Sequence, residues 1–299
     1  MIFFIFSLIL TFLLTLLVSG NNLSAAVGTL IGSRIVERYI GILIGSTGFF
    51  MGLIIEGRFL RGASLSLVPH SYMYITYAFL ISFLIFLFAN IGRAPLSLTM
   101  ALAGTALGID IRIGYAIDYK FVMLMIAFWI IAPVISIIVS YVTERGVFHR
   151  NFKNVWSVAK WLKLLILVSS FLTAFTLGAN TLGFIANVEG FNVTTILIMT
   201  FAIFAGSFFL SSGVIKRVGE EMYSMRYSNA LVSLVVSSLL VEIATLFAVP
   251  LSNTQTLTSS VFGVGISYKY KAIYMRPFLI IILTWVLSPS LGFILGYLV

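Results

Sequence analysis

No cysteine occurs anywhere in the chain, which excludes a disulfide framework, thiolate catalysis and a thiolate metal centre. Histidine occurs only twice, at His70 and His149, and both are read as solvated residues of predicted loops rather than as metal ligands. Acidic side chains number nine in 299 residues, and all charged residues together make up 9%, against roughly a quarter in soluble domains. No nucleophile–base pair, metal-ligand cluster or phosphate-cradling glycine loop can be assembled from this inventory, so an enzyme is not expected. Apolar residues fill the space instead, at 61% of the chain with a mean hydropathy of +1.14.

Such a chain lives in a bilayer. The apolar runs Ile2–Val18, Tyr72–Ala89, Phe121–Val142, Leu162–Leu177 with its flanks, Asn229–Val249 and Phe278–Val299 are helices on the scale of ~30 Å of hydrocarbon. The first run has no basic leader and continues into a polar asparagine-rich segment, so it is read as a retained span. Lys and Arg number 18, for a net charge of +9, and they gather between apolar segments. Arg145, Arg150, Lys153, Lys160 and Lys163 form the densest group and place the central linker in the cytoplasm. This is a topology signal and not a nucleic-acid surface.

Two halves emerge, residues 1–142 and 160–299, joined by the basic linker 143–159. Pro95-x-Ser97-x-Thr99 in the first recurs as Pro250-x-Ser252-x-Thr254 in the second. Gly104 and Gly108 follow the first proline by nine and thirteen residues, as Ser259 and Gly263 follow the second. An earlier polar stretch is duplicated as well: Ser19-Gly20-Asn21-Asn22 pairs with Gly178-Ala179-Asn180-Thr181. The expectation is an all-α polytopic membrane protein of two inverted-topology repeats with broken or re-entrant helices, and a site at their seam.

Asn and Gly cap helices and tolerate left-handed backbone, so both Asn/Gly stretches are expected to unwind within the membrane. Pro95 and Pro250 are each expected to open a short helix of about fourteen residues, too short to span. Ser97 and Thr99, or Ser252, Asn253 and Thr254, then occupy a first turn whose free N–H groups and positive dipole end favour an anion. Taken singly, Ser, Thr and Gly also serve as packing residues in membrane helices; the matched recurrence in both halves is what favours a site.

At these residues the chain resembles the inorganic phosphate transporter (PiT) family, which includes sulfate permeases. The family carries G-A-N-D-x-x-N-x-x-G-T-x-x-G near the start of each half and P-V-S-T-T-H, then G-x-G, near the end. Here the first motif runs from Ser19-Gly20-Asn21-Asn22 to Gly28-Thr29-Leu30-Ile31-Gly32. The last reads Pro250-Leu251-Ser252-Asn253-Thr254-Gln255, closing at Gly263-Val264-Gly265, and Gly213-Val214-Ile215-Lys216-Arg217-Val218-Gly219 is a further family-like stretch. The resemblance implies an inverted-repeat fold that moves phosphate coupled to Na⁺ or H⁺. It assigns substrate binding to Asn21, Asn22, Ser97, Thr99, Asn180, Thr181, Ser252, Asn253 and Thr254.

The departures matter. Asn22 and Thr181 stand where the family has aspartates, Ala25 and Phe184 where it has second asparagines, and Met100 and Gln255 where it has histidine. Losing two carboxylates removes like-charge repulsion worth ~4 kcal/mol per pair at about 4 Å and an effective dielectric near 20. The pocket then suits an anion alone. Coupling is expected to move to Glu242, a carboxylate inside an apolar helix, or Glu242 is simply neutralised by a neighbour. Glu56 and Glu189, near segment ends, are read as interfacial, and Arg93 as a snorkelling cation or the nearest positive charge to the site.

The function expected is alternating-access transport of phosphate across the cell membrane. The alternatives are a permease for sulfate or another oxyanion, a channel-like uniporter, or a membrane homologue that no longer transports. No cofactor is implied beyond a coupling Na⁺ or H⁺. The partners are inorganic phosphate or sulfate and the lipid bilayer, with a homodimer as the assembly to test.

Overall fold

The computed structural model describes residues 1–32, 35–91, 96–148, 155–211, 227–268 and 275–299. Pro95, Arg93, His149, Arg150, Lys153 and the stretch Gly213–Gly219 lie outside them. Among the described residues all regular structure is helical, as a chain whose backbone must satisfy its own hydrogen bonds in lipid requires.

The first half comprises α1 (Ile2–Gly32), α2 (Arg38–Ile55), a 3₁₀ turn (Gly57–Leu60), α3 (Arg61–Leu67), α4 (Tyr72–Ile91), α5 (Leu98–Ile113) and α6 (Tyr119–Thr143), which ends in a π turn (Glu144–Phe148). The second comprises α7 (Val155–Leu177), a π turn (Gly178–Leu182), α8 (Gly183–Glu189), α9 (Val193–Phe209), α10 (Tyr227–Leu246), α11 (Asn253–Tyr268) and α12 (Met275–Tyr297). Among the described residues six stretches are long and apolar enough to cross a membrane, including Arg38–Ile55, Tyr119–Phe148 and Trp156–Glu189. The protein is a multi-pass membrane protein.

Two expectations are corrected. The Asn/Gly stretches do not unwind: α1 runs unbroken through Ser19–Asn22, and Gly178–Leu182 stays helical as a π turn between α7 and α8. A π turn widens the helix by one residue while keeping nearly every N–H bonded, so the segment needs no water. Nor does proline open the short helices. α5 starts at Leu98 and α11 at Asn253, each three residues past its proline, and Ser97 is the N-cap, its Oγ accepting from the Met100 N–H at 3.4 Å. Pro250 lies in the non-helical chain before α11, which begins at Asn253.

The halves interlock through their glycines. A Cβ on Gly104 or Gly108 of α5 would overlap the carbonyl oxygens of Pro289 and Phe293 in α12, and one on Gly263 of α11 would overlap that of Ile137 in α6. Backbone meets backbone there, which only glycine allows. The residue order shows each pair to run parallel, so each short helix leans on the last helix of the opposite half. Likewise α1 packs along α9, with Gly206 against Leu16, and α2 packs along α7, with Gly48 against Ala174 and Phe171. The core of buried apolar side chains runs through both halves without a break, from Leu14 and Phe49 to Phe184 and Val241.

Candidate substrate site

The two short helices begin at the same place. Asn22 of α1, Phe86 of α4, Leu96 to Thr99 at the start of α5, Thr181 of the π turn and Ser252 to Thr254 at the start of α11 enclose one small cavity of about 10 Å³. Seven of the nine residues expected to bind substrate therefore line it: Asn22, Ser97, Thr99, Thr181, Ser252, Asn253 and Thr254. Among the described residues no lining side chain is charged.

The serine–threonine pairs repeat their chemistry. Ser97 Oγ lies 3.0 Å from Thr99 Oγ1, and Ser252 Oγ lies 2.7 Å from Thr254 Oγ1. In each pair one hydroxyl donates to the other, which leaves a second hydrogen free to turn toward the cavity. Asn253 is held from behind, its Oδ1 accepting from the Ser237 hydroxyl at 2.9 Å. Its Nδ2 is buried and finds no protein acceptor among the described residues, although a buried donor left unmade costs about 1–3 kcal/mol. The cavity is thus lined by hydroxyl and amide donors at two helix N-termini, where the helix dipole favours negative charge.

Asn180 and Asn21 play a different part. The Asn180 amide donates to Thr245 Oγ1 at 3.0 Å and to the Val249 carbonyl at 2.9 Å, and its oxygen accepts from the Leu251 N–H at 2.9 Å. Fully engaged, it clamps the π turn to the loop that delivers Ser252. Neither Asn180 nor Asn21 lines the cavity. The approach loops hang from the opposite half: the Trp129 indole N–H of α6 donates to the Pro250 carbonyl at 2.9 Å, and the Ser97 N–H donates to Ser288 Oγ of α12 at 3.1 Å. Farther along α11, Ser136 of α6 bridges to Ser260 Oγ at 2.6 Å, and Ser237 of α10 to Thr256 Oγ1 at 2.7 Å.

Phe86 and Leu96 were not legible as site residues, because an apolar side chain in an apolar helix carries no signal until its neighbours are known. Glu242 stands outside the cavity, three residues before Thr245 on α10. Its carboxyl group lies close enough to that of Glu56, just past the end of α2, for the two to interact. The Oε2 atom of each is buried and receives no N–H or O–H among the described residues. Glu189, expected at the interface, is buried at 2% exposure.

The profile of the phosphate transporter family matches residues 144–296, more than half of the chain. The chain belongs to the phosphate transporter family. Its relatives extend the match over the whole length. A protein of Methanocaldococcus jannaschii assigned as a phosphate permease is 24% identical over 98% of this chain and 95% of its own. The sulfate permease CysP of Bacillus subtilis is 23% identical over 94% of this chain and 82% of its own. A solved structure, the sodium-dependent phosphate transporter, superimposes with a TM-score of 0.82 over 100% of this chain and 99% of its own, at 17% identity. This member of the phosphate transporter family therefore shares that fold, and carries asparagine and threonine at Asn22 and Thr181 in its cavity.

Proposed function

We propose that this protein is a secondary transporter that carries inorganic phosphate across the cell membrane by alternating access. The observation that supports it most is the cavity itself. One Ser-x-Thr pair from each half and the unmatched Asn253 amide present donors, and no full charge, to a single point between the halves. A tetrahedral oxyanion has acceptors on every side and suits such a cage. The reciprocal pairing of α5 with α12 and of α11 with α6 supports two inverted repeats, and the basic group at Arg145, Lys160 and Lys163 supports a cytoplasmic linker.

Uptake of radiolabelled phosphate and sulfate into proteoliposomes tests the reading. Phosphate uptake by the wild type, abolished in Ser252→Leu and Asn253→Leu with the protein still folded, is the expected result. Unchanged uptake in both variants would remove these residues from the site. Sulfate is the second reading, because the cavity offers no carboxylate to accept a P–OH hydrogen and a sulfate permease is among the relatives.

Coupling belongs, on this reading, to Glu242 with Glu56. Two neighbouring carboxyl groups with buried oxygens favour one proton between them, and Glu242 lies three residues before Thr245, which accepts from the Asn180 clamp. Glu242→Gln is expected to keep phosphate exchange across the membrane while net uptake loses its response to an inward proton gradient. Net uptake that still follows the proton gradient in this variant would exclude the pair.

A further inference from the structure

A second, larger cavity of about 670 Å³ opens where the 3₁₀ turn, α3, α4 and α8 meet, lined by Arg58, Arg61, Ser64, His70, Asn187 and Glu189 among others. It lies at the far end of the Trp156–Glu189 span from the basic linker, and thus at the opposite mouth of the protein. Thr181 of the substrate cavity and Glu189 of this one sit on the same helical stretch, eight residues apart and about 12 Å along its axis. Among the described residues the wall sets two arginines and a histidine against a single carboxylate. Arg58 is steadied over the Phe191 ring, its Cζ 5.2 Å from the ring centre, and Arg61 and His70 stand exposed beside it. Glu189 is fixed from behind by two hydroxyls of α1, Ser7 donating at 2.9 Å and Thr11 at 3.4 Å.

We infer that this vestibule is a capture site that selects a protonated phosphate over sulfate before the anion reaches the central cavity. The inference rests on the transport reading above and supplies the selectivity that the central site lacks. Two guanidinium groups attract any oxyanion and fit its oxygens in pairs. A carboxylate discriminates. Ionised, it accepts at about four positions, of which Ser7 and Thr11 occupy two, so Glu189 has capacity for two more donors. Phosphate at neutral pH carries a hydrogen to donate, whereas sulfate only accepts and meets Glu189 as a like charge. A phospholipid diester headgroup also lacks that hydrogen, so the same carboxylate opposes it. At 670 Å³ the vestibule takes the anion with much of its water, which makes it a way station and leaves tight enclosure to the inner cavity.

Initial uptake rates in phosphatidylcholine proteoliposomes, with sulfate as competitor, test this alongside phosphate binding to the purified protein in nanodiscs. Arg58→Ala/Arg61→Ala is expected to raise the phosphate KM about tenfold with Vmax held, the size of change ~1.4 kcal/mol produces, and to weaken binding in parallel. Glu189→Gln, which keeps an acceptor for Ser7 and Thr11, is expected to make sulfate about tenfold more effective as an inhibitor. Arg58→Lys/Arg61→Lys and Glu189→Asp, with gel filtration, separate loss of function from loss of fold by restoring KM and selectivity. Unchanged KM and unchanged sulfate inhibition in the first two variants overturn the vestibule while leaving transport intact. Phosphatidylglycerol that raises the wild-type KM, but not that of the double variant, overturns it in favour of a lipid headgroup. A wild type that transports neither anion overturns the transport reading, and the binding assay then still decides whether Arg58 and Arg61 hold phosphate.

Discussion

Asn180 and Asn253 show how one residue type takes two jobs around a single loop, the one that carries Leu251 and Ser252. All three hydrogen-bonding capacities recorded for Asn180 are spent on the protein, whereas Asn253 spends its oxygen and keeps its Nδ2. Asn180→Ala should accordingly act on stability, by about 1–3 kcal/mol for the partners it strands, read as a lower melting temperature in detergent. Asn253→Asp should act on substrate instead. It replaces the free donor with an acceptor facing the anion, and the expected outcome is lost phosphate binding with little change in melting temperature. Sequence alone grouped the two residues, because both sit in duplicated polar stretches and neither spacing nor composition records which way an amide is turned.

At the scale of the element, the short helices depend on the absence of side chains. Gly104 of α5 lies against the Pro289 carbonyl, so Gly104→Leu should push α5 from α12, at about 1–3 kcal/mol for overpacking, and displace Ser97 from the cavity with it. Lower yield of folded protein, together with loss of uptake in what remains, is the measurement. Gly146 offers the control, since a Cβ there meets nothing within 4 Å. The short helices and their polar starts were legible from the recurring Pro-x-Ser-x-Thr, but their first residues were not. Proline was assigned to the first turn, while α5 takes Ser97 as its cap and α11 begins three residues beyond Pro250. The Asn/Gly stretches misled for a related reason: in water such residues end helices, whereas in lipid an ended helix strands its N–H groups, and a π turn is the cheaper accommodation.

Across the whole molecule, five of the six membrane-crossing stretches among the described residues could be read from hydropathy, all but Arg38–Ile55. The partners could not, because lipid-facing and protein-facing leucines look alike in a chain this apolar. Orientation is testable directly, since the chain has no cysteine of its own. Gly146→Cys, beside the basic linker, should react with an impermeant maleimide only after the membrane is opened. Val193→Cys, 76% exposed at the start of α9, should react in intact cells. The reverse labelling pattern would turn the protein over and place the Arg58 vestibule inside the cell.

The crossed partnership of α5 with α12 and of α6 with α11 also bears on how the protein comes to exist. A ribosome delivers the first half to the membrane while both of these partners are still unmade, so α5 enters with its glycine face bare and its polar start, Ser97 and Thr99, without the opposing pair. Completion of the substrate cavity therefore waits for synthesis of α11 and α12. A chain halted after Phe148 should insert yet remain open to protease around Gly104, and co-production of residues 155–299 should restore protection, making the assembly of the site the last act of translation.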